Sequence, residues 1–485
     1  MREHEIGTES DADKQLITRT ERAITETLRA MGPAVGTSLV ATVLGFIALY
    51  TSPVPMVGDF GKMLSLGVLV SFLTSLFVLT TVLFIRDRFF PASETKMRKH
   101  EIQTEKPEMG FLDRILHTTT KMVLRWRVFI LLMAILVTLF GFWADGHVGV
   151  ETDVEKFMPQ NTTALEQIRT LRSVMGSTDQ VSLLITGENV LDPQTLQWID
   201  SVTQGVQQRY PNVVTGSQSI SSMMRRMNGG QIYTTEKDAQ TFITQLPQAE
   251  RKMVIHSDLK QTVILVNIKH LAAAPLHQFL VSLKGYVATP PVGVQVVVTG
   301  KPVVDAAMVS GLTSGRQRMT LLGMGLVFLG LLVRYRSFIK ALIPIFPIGL
   351  IVGWSSGAMY LLNLKYTPLT ATLGALIIGI GTEFTILLME RYFEERMNGL
   401  NELESMLTAT NRIGKAVLAS GLTVIGGFSA LIASNFPILH DFGILTLIDM
   451  SLCLFSTLVV LPPFIVLLDH WLKLGKKVET AVEAV

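Results

Sequence analysis

A single cysteine, Cys453, in 485 residues leaves no disulfide framework and no Cys-based metal site; lying inside an apolar run, it says nothing about redox compartment. Charge is scarce as well. Asp, Glu, Lys and Arg make up 17% of the chain against 48% apolar residues, and mean hydropathy is +0.41, which a soluble domain of this length rarely shows. The net charge is only +3, so nucleic-acid binding has no electrostatic support. No HExxH, phosphate-loop, GxSxG or Cys/His metal spacing occurs. Hydrolysis, ATP coupling and metal binding therefore have no foothold, and neither an enzyme nor a cofactor is expected. The polar, acidic start MREHEIGTESDADKQ is unlike a cleaved signal peptide, so the apolar spans themselves would direct insertion.

What the chain does have is a duplicated apolar hairpin. Gly32 to Gly61 reads GPAVGTSLVATVLGFIALYTSPVPMVGDFG and Gly414 to Gly443 reads GKAVLASGLTVIGGFSALIASNFPILHDFG. The two align without a gap and agree at about a dozen of thirty positions, among them Pro55/Pro437, Asp59/Asp441, Phe60/Phe442 and Gly61/Gly443. Duplicated membrane units related by a pseudo-two-fold are how many transporters are built, with the pathway at the repeat interface.

A hydropathy pass predicts eight spans, about 34–51, 61–84, 128–144, 319–333, 338–362, 369–389, 416–433 and 442–468. The fourth is short, so its helix should continue outward through 311–318. Arg19, Arg22, Arg29, the basic cluster between Arg86 and Arg127, Arg334, Arg336, Lys340, Arg391, Arg396, Arg412, Lys473, Lys476 and Lys477 all fall on one side. Lys365 is the exception. The positive-inside rule then makes both termini cytoplasmic in a multi-pass protein of the cell membrane.

The expected order is a cytoplasmic segment 1–30, two spans in 31–85, a basic cytoplasmic linker 86–127, one span at 128–144, an extracytoplasmic α/β domain 145–316, five spans in 317–470 and a cytoplasmic tail 471–485. The linker holds either a surface-lying amphipathic helix around Met109 to Lys121 or a solvated connector. In the polar domain, strand-like runs at 181–186, 262–268 and 294–299 alternate with helix-like ones at 164–174, 192–208, 236–244 and 276–286. That pattern predicts helices packed on one sheet.

Chemistry should sit where charge is expensive. Glu383 lies about 14 residues, roughly 21 Å of helix, inside the sixth span. A central carboxylate costs about 2.5–3.5 kcal/mol even on the gentler scales, so it should face protein or water and be protonated for part of its life. Thr372, Ala375, Gly379 and Glu383 share a helix face whose small residues allow close packing. The group is either a proton site coupled to helix movement or a neutral carboxyl held within the bundle. Asp449 in the last span, matched by Gly67 in the first repeat, could extend a relay or be capped locally by Thr446 or Ser451. Asp59 and Asp441 read as N-caps or first-turn charges. Glu390, Arg391, Glu394, Glu395 and Arg396 read as a solvated, ion-paired helix end. Met223, Met224 and Met227 are either core filler or the lining of an apolar path.

GIGTEFTILLMERYFEERMNG, then KAVLASGLTVIGGFSALIASNFPILHDFG and TLVVLPP, resemble the fourth to sixth helices of one half of a resistance-nodulation-division (RND) exporter. The similarity is to the hydrophobe/amphiphile efflux-3, MmpL-like type, akin to exporters of hopanoids and mycolic lipids. KFMPQNTTALEQIRTLRSVMGS, VVVTGKPVVDAAM and RYRSFIKALIPIFPIGL match the second half of that family, so the resemblance covers nearly the whole chain. It implies an RND-type helical bundle with one porter-like domain, and proton-driven export of lipids or amphiphiles with Glu383 as the proton-relay residue. The family commonly pairs Asp with Tyr there; this chain has Glu383 and Phe384, so the phenolic partner is absent. Only the last two spans of a first half are represented, which implies a partner chain supplying the rest, a homo-oligomer or a truncated remnant. Two alternatives share the bundle: a non-transporting, sterol-sensing-like regulator or scaffold, and a secretion accessory subunit resembling the SecD and SecF pair.

Overall fold

The computed structural model describes residues 32–89, 110–151, 153–175 and 179–472, with Arg22, Thr25, Glu26 and Arg29 singly ahead of them. The expected cytoplasmic segment 1–30, the start of the basic linker and the tail after 472 lie almost wholly outside the described residues. The chain divides into two units, one comprising Met1–Gly149 with Leu312–Val485, the other Val150–Gly311.

The first unit is an α-helical bundle. Among the described residues, eight helices are long and apolar enough to cross a membrane: Gly32–Thr51, Pro55–Arg86, Arg127–Asp145, Gly315–Tyr335, Phe338–Leu361, Thr370–Met397, Glu402–Ala433 and Pro437–Leu472, the first to eighth membrane helices in chain order. The fourth belongs to a continuous helix, Lys301–Tyr335. The fifth and sixth are the most enclosed, with Ile351, Phe384, Ile386 and Leu388 in their cores.

The duplication visible in the sequence is also a duplication of geometry. Each first helix of the pair closes on a 3-10 turn, Ala48–Thr51 or Ala430–Ala433. Each second helix opens with proline, Pro55 or Pro437, whose fixed φ and missing N–H suit a first turn. Each second helix later carries a π-turn, Ser75–Leu79 or Ser456–Val460. A Cβ on Gly61 would lie 2.6 Å from Leu49 Cβ, and one on Gly443 2.9 Å from Leu431 Cβ, so both hairpins close through the same glycine–leucine contact. The equivalent residues Phe60 and Phe442 meet edge to face, centroids 6.1 Å apart. A residue that touches its own counterpart marks the pseudo-two-fold between the copies.

These proline starts correct the expectation for Asp59 and Asp441. The helices begin at Pro55 and Pro437, six and five residues ahead of the expected span starts, so the two carboxylates, each four residues after its proline, lie a turn inside. Neither is an N-cap; Asp59 pairs with Lys62 at 2.9 Å and Asp441 lies 3.3 Å from His440 Nδ1. The linker does contain an amphipathic helix, Phe111–Arg125. Leu116, Thr120, Val123 and Leu124 are buried, and Asp113 reaches Lys415 on the seventh helix at 2.6 Å.

The second unit has a four-stranded sheet of β1 (Asp179–Thr186), β2 (Val214–Gln218), β3 (Gln261–Ile268) and β4 (Gln295–Thr299), in the order β2-β3-β1-β4 and antiparallel throughout. Alternate residues Val181, Leu183 and Ile185 on β1 and Ile264, Val266 and Ile268 on β3 are fully buried, which is the period-2 signature of a sheet covered on one face. The covering helices include Pro193–Arg209 and Ala273–Tyr286. β2 and the short helices Ile220–Met227 and Gln248–Val254 were not anticipated, because VTGSQ and QAERKMV carry almost no apolar periodicity. Met224 fills the core, Met223 packs beside it and Met227 is exposed, so the three share no common lining.

Candidate functional site

The sixth helix is seated by small residues on both flanks. Toward the first helix, Gly379 lies so close that a Cβ there would come within 2.6 Å of the Phe46 ring, and Gly45 faces Gly379 at 3.2 Å by the same measure. Thr42 Oγ1 donates across this seam to the Gly379 carbonyl at 2.8 Å. Thr372 and Ala375 are buried farther up the helix. Toward the other flank, a Cβ on Gly381 would meet Ile348 of the fifth helix and lie 3.2 Å from Cys453 Sγ of the eighth. Backbones come this close in membranes because apolar burial does not drive association there and contact area must.

These two seams place the acidic candidates. At about 100° per residue, Glu383 lies about 40° from Gly379 and about 200° from Gly381. It therefore belongs to the side facing the first helix, where it is half-buried and has no hydrogen-bond or ion-pair partner among the described residues. Asp449 sits one turn before Cys453, on the opposite side of the sixth helix, and is fully buried. Neither of its oxygens completes a hydrogen bond; the Ser355 hydroxyl of the fifth helix is its polar neighbour. Thr446 and Ser451 bond back to Phe442 and Leu447 and cap nothing. Glu383 and Asp449, neither with an ion-pair partner among the described residues, thus lie in separate seams rather than side by side.

Two charged constellations lie at the helix ends, one that escaped the sequence reading and one that it saw only in part. At one end Asp145 Oδ1 accepts from Tyr366 OH at 2.7 Å and Ser356 Oγ at 2.8 Å, while Oδ2 accepts from Arg316 at 2.5 Å and Gln317 at 3.3 Å. The Arg316 guanidinium lies 4.1 Å from the centre of the Tyr366 ring. Burial pushes the Tyr366 phenol above its ordinary range and Asp145 adds to this against the opposing pull of Arg316, so the phenol stays a donor. A trace was visible beforehand: an acid and a base closing two apolar spans, with a serine pair inside a third.

At the other end, the expected ion pairs form, but only in part at the solvated surface: Glu394 is exposed, whereas Glu395 is buried. Arg391 pairs with Glu395 and Glu394, and Arg412 reaches Glu395 at 3.2 Å. Asp469 of the eighth helix accepts from Tyr392 at 2.5 Å and Arg396 at 2.8 Å. Glu395 is 3% exposed and Asp469 fully buried. Asp469 of the eighth helix and Arg412 of the seventh draw Arg396 and Glu395 inward, which the sequence run alone did not show.

Eight membrane helices around a duplicated hairpin, with unpaired acids in the central seams, define a polytopic bundle of the RND type. The same fold is seen in the hedgehog release protein Disp from water bear (Hypsibius dujardini), with a TM-score of 0.67 at 15% identity over 94% of this chain and 60% of that one. The sequence matches the MMPL family over residues 14–130 and 193–482, and the chain belongs to that family, whose members are transporters rather than enzymes. It is similar to a membrane protein of Methanocaldococcus jannaschii, 27% identical over 365 residues, 72% of this chain and 93% of that one. It is also similar to a probable transport protein, MmpL9, of Mycobacterium tuberculosis (29% identical; 37% of this chain and 19% of that one) and to the apo-petrobactin exporter of Bacillus anthracis (25%; 29% and 20%). The chain thus spans nearly all of the archaeal relative and only about a fifth of the two bacterial ones.

Proposed function

We propose that this chain is a proton-driven RND-type exporter, or the second-half portion of one, that moves lipids or other hydrophobic and amphiphilic compounds. Glu383 is the coupling group, and the α/β unit is the porter domain on the extracytoplasmic side, with both termini cytoplasmic. The observation that carries this reading is Glu383 itself: a carboxyl with no counter-ion among the described residues, one turn from the close seam between the first and sixth helices. A proton gained or lost there changes the cost of burying that seam by several kcal/mol, on the order of what rocks one set of helices against another. Relatives named as transport proteins and an exporter support the direction of use.

A second bundle belongs to the working form, either a partner chain or another copy. Leu66, Val70, Leu73 and Phe77 of the second helix are exposed, whereas its counterpart, the eighth, is packed by the fifth, sixth and seventh.

The test is flux of a fluorescent lipid from proteoliposomes bearing a pH gradient. Flux should collapse with the gradient and in Glu383→Gln, and persist in part in Glu383→Asp. Gradient-driven flux unchanged in Glu383→Gln removes Glu383 from the mechanism.

One feature favours a second reading, a lipid-responsive regulator without flux. An open groove of about 470 Å³ between the third, fifth and eighth helices is lined almost wholly by apolar side chains, including Phe129, Phe140, Trp354 and Phe455. Lipid binding indifferent to the gradient, with no flux in any condition, would select it.

A further inference from the structure

Asp449 is sealed on every side. From the fifth helix Ser355 faces it, from the sixth Gly381 packs against Cys453 one turn along, and from the seventh Gly421 packs on Leu454. On its own helix the nearest titratable group is Cys453, and no Lys, Arg or His faces it among the described residues. A bare carboxylate without a donor is costly in such a place, so what the group can do depends on whether a proton can reach it.

One route is built. Ser355 also lines a cavity of about 20 Å³ together with Arg316, Thr320, Ser356, Tyr366 and Thr370. That is room for about one water, in a lining polar enough to hold it. Ser356 and Tyr366 in turn bond Asp145. Hydroxyls and a carboxylate therefore mark a route from the Asp145 end of the bundle to Ser355 at the edge of Asp449, walled on its other side by Val352, Met359, Leu373 and Ile377. In the other direction the next buried hydroxyls on the same helix, Ser456 and Thr457, lie about 10 Å farther along, beyond Cys453, and make no hydrogen bonds, while the Thr382 and Thr385 hydroxyls of the sixth helix are committed to backbone carbonyls.

We propose that Asp449 is a second protonation site, loaded only from the Asp145 end, with Ser355 as the last relay and the Asp145–Arg316–Tyr366 constellation as its entrance. In the transfer, Ser355 Oγ–H passes its proton to an Asp449 oxygen and takes one from a hydrated proton that has entered the cavity from the Asp145 end, leaving neutral water. One proton moves and the serine is unchanged. Arg316 at the mouth repels an incoming cation unless Asp145 neutralises it, which makes Asp145 a positioning residue for entry. The inference rests on the proton-driven reading for its purpose, yet its chemistry is measurable without any transported substrate.

The experiment uses the full chain in lipid nanodiscs and infrared difference spectroscopy. In a Glu383→Gln background, which removes the other membrane carboxyl, stepping pH should produce the C=O stretch of a protonated carboxylic acid, and this band should vanish when Asp449→Asn is added. Hydrogen–deuterium exchange of the band should slow by about tenfold or more in Ser355→Ala. Ser355→Thr should restore it, and Asp145→Asn should slow it as well. Should Asp449→Asn fail to fold, the Ser355→Ala and Ser355→Thr pair decides alone. Exchange indifferent to Ser355→Ala, or a band that survives Asp449→Asn in the Glu383→Gln background, overturns the proposal. Lipid flux absent while the band titrates and responds to Ser355 would sink the exporter reading and leave this one standing.

Discussion

Alanine at position 141 is the sharpest steric test of the bundle. A Cβ at Gly141 would sit 1.9 Å from the Gly353 carbonyl oxygen of the fifth helix and 2.4 Å from its carbon. Both obstacles are backbone, so no rotamer change can absorb the clash. Reaching ordinary contact requires the third and fifth helices to part by about 1.5 Å. Overpacking of this kind costs about 1–3 kcal/mol, with the upper end expected where backbone is the obstacle. Parting the helices also stretches the bond from Ser356 to Asp145, one turn away and now 2.8 Å long, beyond useful range. Loss of a hydrogen bond to a charged group adds about 1.5–3 kcal/mol. Gly36 in the first helix is the control, since a Cβ there meets nothing within 4 Å. The assay is unfolding in mixed micelles of rising denaturing-detergent fraction, followed by tryptophan fluorescence; Trp354, which donates to the Ala134 carbonyl across the same seam at 3.1 Å, is one reporter. Gly141→Ala should lower stability by several kcal/mol and Gly36→Ala by less than about 0.5 kcal/mol. Equal behaviour of the two would refute the close approach.

Three further outcomes follow from other sites. In the α/β unit, burial alone would raise the Asp200 carboxyl, but Arg225, bonded to both its oxygens, holds it below the usual carboxylate range. Its stabilisation is full above the unfolded value of about 3.9 and is lost as pH falls through the folded one; Asp200→Asn should cost about 1.5–3 kcal/mol at neutral pH, a gap that closes in acid unfolding scans below about pH 4. Asp469→Asn removes the charge that Arg396 and Tyr392 share in a buried site and should destabilise the bundle by about 3–5 kcal/mol in the detergent titration; a loss under about 1 kcal/mol would show the pair to be solvated. Cys453 is fully buried, so a maleimide should leave the native chain unlabelled and modify it once denatured; labelling of the folded protein would mean that the seam at Gly381 is open.

The bundle was largely legible because membrane spans announce themselves by length and hydropathy, and because a gapless repeat carries its own geometry. Helix starts were less so: hydropathy counts apolar residues, whereas Pro55 and Pro437 begin their helices through backbone constraint. The alternation of β1 and β3 showed their strands plainly, but β2, with one buried residue in five, had nothing to announce. Glu383 and Asp449 could be found as charges in apolar runs. Which seam each belongs to could not, since that depends on whether Gly379 or Gly381 meets a given neighbour, and the two are separated by only two residues. The Asp145 and Asp469 constellations join residues distant in the chain, and no local pattern links them.

Gly67, the counterpart of Asp449, is exposed with nothing within 4 Å of where its side chain would begin. The duplicated frame is thus even in shape and uneven in electrical load: at this position one arm bears an ionisable group and its twin a glycine. A force that acts on one arm alone skews a mirrored frame instead of swelling it, and a directional machine requires that kind of lopsided response.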